Sequence, residues 1–237
     1  MRLLILGGSG NVGSMVIPAL RPAYSVRVLD LVEPKFECDD FVQGSLLDEA
    51  VLTRSVSGMD AIIYSVMGEY EVACANRNLA TVANNHDLSV KGLHLALHAA
   101  HEAGIRKAIF LSTFNVYKDY LRGVVSGEDV PAATDEIYGF TKLLGESVCK
   151  MFGDFHGMTT IAFRLYAPRP DAKWRDAAAR GHIRCLAASD LTEAIRCALR
   201  FEQSGYHLFS ISGDHEEKKI GMRHAREVLG WSPQARV

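Results

Sequence analysis

The chain has 237 residues, with 26 Lys and Arg against 28 Asp and Glu for a formal charge of −2, and 48% of its residues are hydrophobic. That is the composition of a globular protein long enough to bury a core without disulfides or metal ions. The balance of charge excludes bulk attraction to nucleic acid or to an anionic membrane surface, so neither is expected as a partner.

Leu3 to Leu20 carries no charge and follows Met1-Arg2, but its apolar run is only Leu3-Leu4-Ile5-Leu6 before four glycines, Asn11 and Pro18 interrupt it. Such a stretch is neither a secretory leader nor a membrane span. Cys38, Cys74, Cys149, Cys185 and Cys197 are odd in number, widely spaced and without a C-x-x-C pair. This fits reduced thiols in a cytoplasmic protein, and no metal site is expected.

In chain order the pattern alternates strand and helix. Arg2 to Gly7 predicts a strand, followed by a glycine turn and a helix to about Leu20. Ser25 to Asp30 and Phe41 to Gln43 predict two more strands, then a helix from Leu46 to Ser57 and a strand from Asp60 to Val66. The longest helix is expected from about Val82 to Ala103, ended by Gly104 as a C-cap glycine. Arg106 to Ser112 reads as a strand, Tyr138 to Phe152 as a helix and Thr159 to Leu165 as a sixth strand. Near-continuous apolar strands separated by helices imply a parallel sheet covered on both faces, that is, an α/β doubly wound fold of the Rossmann type. Beyond Leu165 the rhythm weakens. Ala167 to Leu186 shows no period, whereas Ser189 to Phe201 reads as a helix, Tyr206 to Ile211 as a strand and Glu216 to Leu229 as a terminal helix. One NAD-binding-type domain over residues 1–237 is expected, with a small C-terminal substrate lobe from about residue 165.

Gly7, Gly10 and Gly13 form G-x-x-G-x-x-G between the first strand and the first helix. Glycines there permit a tight turn and close approach of the backbone to a pyrophosphate, which the helix N-terminus stabilises; Asn11 and Val12 sit in the same turn. Asp30 closes the second strand about 20 residues on, where a carboxylate accepts hydrogen bonds from ribose hydroxyls and repels a 2′-phosphate. NAD is therefore expected over NADP, with Arg27 and Lys35 as the nearby cations that could blur the preference. Tyr138 and Lys142 lie four apart on one helix face, and an ammonium there favours the phenolate and makes the tyrosine a general base. Ser112 and Thr113 end the fifth strand, at the carboxyl edge of the sheet where such folds bind ligands.

In this order and spacing, G-x-x-G-x-x-G, Asp30, Ser112-Thr113-x-x-Val116-Tyr117 and Tyr138-x-x-x-Lys142 resemble the extended short-chain dehydrogenase/reductase family, which includes NAD-dependent epimerases, dehydratases and dehydrogenases. The resemblance implies catalytic roles for Thr113, Tyr138 and Lys142. It implies NAD contacts from Gly7, Gly10, Asn11, Val12, Gly13, Asp30, Ser45, Leu46, Ser65, Val66, Tyr138 and Lys142. It also implies a homodimer built on the long helix and the Tyr138 helix. Ser45 stands where the family has an Asp, and Ser89 where it has a helical Asn.

Asp129-Val130-Pro131-Ala132, Leu229-Gly230-Trp231-Ser232-Pro233 and the short tail are similar to the uronate dehydrogenases of that family, which oxidise a free hexuronic acid. That similarity assigns a substrate carboxylate to Arg175, while Ser112 and Thr113 at the strand end, with Asn115, are the further substrate candidates; where those enzymes have Ser-Ser-Asn-His, this chain has Ser112-Thr113-Phe114-Asn115. Arg164, Arg169, Arg175, Arg180 and Arg184 make the segment basic and favour an anionic small-molecule substrate. A nucleotide-sugar epimerase or dehydratase with tightly bound NAD, a reductase and a non-catalytic dinucleotide sensor are the alternatives. His94, His98 and His101 share a helix face and are read as a polar stripe or an oligomer contact.

Overall fold

The structure, a computed structural model, describes residues 1–68, 78–118, 123–125 and 127–236; Cys74 lies outside them. Seven parallel strands form one sheet in the order β3-β2-β1-β4-β5-β6-β7. They are β1 (Arg2–Leu6), β2 (Ser25–Asp30), β3 (Asp40–Gln43), β4 (Ala61–Tyr64), β5 (Lys107–Thr113), β6 (Thr159–Leu165) and β7 (Gly205–Ile211). The helices are α1 (Asn11–Leu20), α2 (Glu49–Val56), α3 (Leu79–His86), α4 (Gly92–Glu102), α5 (Ile137–Phe155), α6 (Asp171–Ala179) and α7 (Ala188–Arg200). The expected doubly wound sheet is thus present, with its switch point between β1 and β4, where ligands of such folds bind. Among the described residues, no helix is long and apolar enough to cross a membrane.

Strand pleating divides β1 between two cores. Leu3 and Ile5 pack with Val16, Ile17 and Leu20 of α1 and Leu191, Ile195 and Ala198 of α7. Leu4 and Leu6 pack on the other face with Leu52 of α2, Leu93 and Leu97 of α4 and Phe152 of α5. All seven residues of β6 are buried, which is why its sequence shows no polar alternation.

Three expectations change. The long helix runs from α3 into α4, but Asp87–Lys91 between them is a π turn. Its buried stripe, Thr81, Asn85, Ser89, Leu93 and Leu97, repeats every four residues. A straight α-helix would rotate such a stripe by about 40° per step, and the wider π turn takes up part of that drift. Second, Asp171–Ala179 is helical (α6), although no period was expected there; Trp174, Ala177 and Ala178 supply a short buried stripe. Third, the terminal helix from Glu216 is replaced by turns, and helical winding is confined to a few residues that end in a π turn at Ala225–Leu229. The Asp214 carboxylate takes the amides of Lys219 and Ile220, and the Val125 carbonyl takes that of Gly221, so these N–H groups never enter a helical ladder.

Candidate active site

At the carboxyl edge of the sheet a cavity of about 1030 Å³ opens over the switch point. One end is the glycine turn. Gly7 has φ +75°, and a Cβ there would lie 2.9 Å from Val66 Cγ2. At Gly13 a Cβ would lie 2.0 Å from the Gly8 carbonyl oxygen, so α1 can approach the turn only without a side chain. Gly10 is the extended N-cap of α1 and no side chain caps it, which leaves the first-turn N–H groups available to an anion.

Asp30 does more than face the cavity. Its Oδ2 accepts the Ser9 N–H at 2.9 Å and its Oδ1 the Val32 N–H at 3.3 Å, so the carboxylate also braces the glycine turn. Leu31 and Val32 follow it on the cavity wall, 65% and 64% exposed. The Arg27 guanidinium is held by Asp40 and the carbonyls of Ser55 and Ser57, and neither Arg27 nor Lys35 lines the cavity. Ser45 and Leu46 line the same end, and the Ser45 hydroxyl accepts the Leu47 N–H at 3.1 Å. Ser65 and Val66 line the middle, directly after β4. Gly13 is the one expected cofactor residue set behind the wall, where its missing side chain lets the others converge.

At the other end stand Thr113, Tyr138 and Lys142. Lys142 is 2% exposed, and its Nζ donates to the carbonyls of Val66 at 3.0 Å and Leu111 at 2.9 Å. Burial pushes its ammonium down to about 7, partly offset by the thiol of Cys149 and the carboxylate of Glu146. Nζ lies 6.0 Å from the centre of the Tyr138 ring, as their shared helix face requires. The helix can start this close to the β5 loop only at a glycine, since a Cβ on Gly139 would lie 2.0 Å from the Asn115 carbonyl oxygen. Thr113 Oγ1 donates to Asn115 Oδ1 at 2.9 Å, and Asn115 Nδ2 donates to Glu136 Oε2 at 3.1 Å, so the threonine rotamer is held from α5.

Ser112 stands beside Thr113 at the cavity edge with its hydroxyl proton already engaged by Glu146 Oε1 at 2.6 Å. Glu146 in turn takes two bonds from Arg164, at 3.0 and 2.6 Å, and Arg164 also donates to the Tyr117 hydroxyl. Both members of this pair are buried.

The basic segment sorts differently from expectation. Arg164 is buried in that pair, while Arg175 and Arg180 are exposed and outside the cavity lining. Trp174, Ala177 and Ala178 form the inward stripe of α6, which turns Arg175 outward. Arg169 and Arg184 line the cavity instead, with Tyr166, Ala167 and His182. The Arg184 guanidinium lies 4.9 Å from the Tyr166 ring centre, and the Arg184 carbonyl accepts from Ser212 Oγ and Gly213 N. Ala167 has φ +41°, an uncommon backbone for a residue with a side chain, and it sits on the cavity wall. Arg184 reaches the site through long-range pairing of Leu186 with Tyr166 and Arg169, for which the local sequence carries no signal.

Ser89 is buried in the π turn and does not line the cavity. His94 packs edge-on to Phe152 and His101 against His156, and no group of three metal-ligating side chains is found among the described residues.

The sequence model of the NAD dependent epimerase/dehydratase family matches residues 3–195. A uronate dehydrogenase of Pseudomonas syringae pv. tomato is 26% identical over 209 residues, covering 86% of this chain and 72% of the relative. An NAD-dependent glucose-6-phosphate dehydrogenase of Haloferax volcanii is 22% identical over 255 residues, covering 98% and 92%. Among solved structures, a mutated uronate dehydrogenase is similar with a TM-score of 0.81 at 21% identity, over 99% of this chain and 82% of that one. A short-chain dehydrogenase/reductase superfamily protein from Agrobacterium tumefaciens with bound NAD gives 0.82 at 19% identity, over 100% and 93%. These structures share the fold.

Proposed function

The chain belongs to the NAD dependent epimerase/dehydratase family, and from that premise we propose that it is a dehydrogenase that oxidises a hydroxyl-bearing carbon of a small, anionic sugar. NAD, when bound, supplies the hydride acceptor. The glycine turn and the open N-terminus of α1 would hold its pyrophosphate, Asp30 its adenosine ribose, Ser45 and Leu46 the adenine, and Ser65, Val66 and Lys142 the nicotinamide half. The cradle supports this fit, because side chains at Gly7 and Gly13 would fill or split it.

The observation that carries the reading is the meeting of Thr113, Tyr138 and Lys142 with the glycine turn and Asp30 in one cavity. Tyr138, as phenolate, takes the proton of the substrate hydroxyl, and the Thr113 hydroxyl, turned from Asn115 Oδ1 to the substrate, donates to the reacting oxygen as it becomes a carbonyl. Lys142, when it carries its proton, lends the positive charge that favours the phenolate, in opposition to the burial that lowers its ammonium to about 7. Arg169 and Arg184, in the stretch after residue 165 that we read as the substrate lobe, supply charge for a carboxylate or phosphate. The named relatives act on uronate and on glucose 6-phosphate, which supports an anionic sugar. A cytoplasmic enzyme is supported by the free thiols of Cys38, Cys149, Cys185 and Cys197. A homodimer on α4 and α5 is supported by exposed Leu95, Phe140 and Phe155.

The test is NADH formation by the purified protein with NAD and a panel of free hexuronic acids, sugar phosphates, neutral aldoses and nucleotide sugars. NADH from a free anionic sugar is expected. Isomerised nucleotide sugar without NADH would replace this reading with that of an epimerase. Arg184→Met is expected to raise KM for the anionic substrate about 10- to 100-fold, the worth of a charge-assisted hydrogen bond, with little change for a neutral aldose. For the cofactor end, Gly13→Ala is expected to raise the Kd for NAD by at least about tenfold, or ~1.4 kcal/mol. Gly10→Ala costs less, since its Cβ would meet nothing nearer than the Gly7 oxygen at 3.3 Å.

A further inference from the structure

Tyr64, the last residue of β4, is buried and its ring packs on Phe110. Its hydroxyl donates to the carbonyl of Leu88, inside the π turn that joins α3 to α4. Burial pushes the phenol up, so it stays a neutral donor at ordinary pH. In the π turn the Gly92 N–H bonds to the Asp87 carbonyl, five residues back. An extra residue in a helix disturbs the four-residue ladder, and a side chain that reaches into the ladder is one of the recognised ways to hold such a site.

Two further observations tie this contact to the cavity. Leu88 lines the cavity, as do Ser65, Val66 and Met67, the three residues after Tyr64. Gly92 is where the helix passes closest: a Cβ there would lie 2.9 Å from Tyr64 Oη and 2.3 Å from Cδ1 of Leu46, itself on the cavity wall. The end of β4 therefore fixes three things at once. Val66 packs against Gly7, the Val66 carbonyl receives Lys142, and Tyr64 holds Leu88.

We propose that Tyr64 is a positioning residue for the cofactor, pinning the π turn through the Leu88 carbonyl so that the Leu88 side chain forms part of the wall against NAD, with Gly92 providing the clearance. Without the pin, the turn can relax toward regular α winding, where each residue is displaced by about 100° per register step and Leu88 leaves the wall. Neither residue touches the reacting atoms, so the effect falls on NAD affinity.

The experiment compares Tyr64→Phe, Leu88→Ala and the parent protein by NAD titration and by deuterium exchange of the peptide spanning the π turn. Tyr64→Phe keeps the ring and its packing. Its NAD Kd is expected to rise about tenfold, ~1.4 kcal/mol, with faster exchange at residues 87–93. Leu88→Ala is expected to raise Kd without the faster exchange. If Tyr64→Phe lowers only the melting temperature and leaves Kd and exchange at parent values, the hydroxyl is merely structural and the proposal is overturned; an unchanged Kd in Leu88→Ala overturns it as well. Gly13→Ala in the same titration separates this from the cofactor assignment itself, since an unchanged Kd there would place NAD elsewhere.

Discussion

Tyr138→Phe is expected to lower kcat by about 10²- to 10⁴-fold, the usual worth of a positioned acid or base, while the Kd for NAD stays within about twofold. The phenol oxygen is the group that takes the substrate proton, and removing that one oxygen leaves the Tyr138 ring, α5, Lys142 and Thr113 in place against the cofactor. The split matters because a substitution that only loosened the cavity would raise Kd and KM together. Stopped-flow turnover beside NAD titration reads both quantities, and turnover at the parent rate would remove Tyr138 from the chemistry.

The second large effect is on stability. Arg164→Leu leaves the Glu146 carboxylate buried with Ser112 as its one remaining hydrogen-bond donor among the described residues, and breaking a buried pair by removing one partner costs about 3–5 kcal/mol. For a chain of this size that corresponds to a fall in Tm of roughly 6–20 °C, measurable by calorimetry or circular dichroism. The double variant Glu146→Leu with Arg164→Leu is expected to recover part of that loss, because the uncompensated charge goes with its partner. A double variant as unstable as the sum of the two single ones would contradict the account of the pair. The pair joins the last turns of β5 and β6 to α5 from beneath the site, through Ser112, Tyr117, Glu146 and Arg164. Its failure would therefore also disturb Thr113 and Lys142.

Most of the sheet is readable because buried parallel strands are largely apolar and their helices carry an apolar stripe. The glycine turn, Asp30 and the Tyr138–Lys142 pair were readable because each depends on close spacing along one element or one turn. What the sequence hid depends on pairing over distance. Arg184 enters the cavity because Leu186 bonds Tyr166 and Arg169, and Arg175, nearer in sequence to the expected place, is turned out by the stripe of α6. Ser112 ends a strand beside Thr113 and looked equally suited to a substrate, yet its proton is taken by Glu146, 34 residues away. The π turn did leave a trace, in the four-residue repeat of buried positions from Thr81 to Leu97, but that repeat reads as an ordinary helix until its drift is counted. The terminal segment failed as a helix because Asp214, at its start, captures two of its amides.

In the reaction proposed, hydride leaves a carbon of a free anionic sugar for NAD and does not return. The most direct measurement supplies a hexuronic acid deuterated at its anomeric carbon, with NAD in excess, and follows deuterium by mass spectrometry in cofactor and sugar. Reduced cofactor carrying one deuterium for each sugar oxidised is expected. Deuterium retained in the sugar, with no net reduced cofactor, would contradict it.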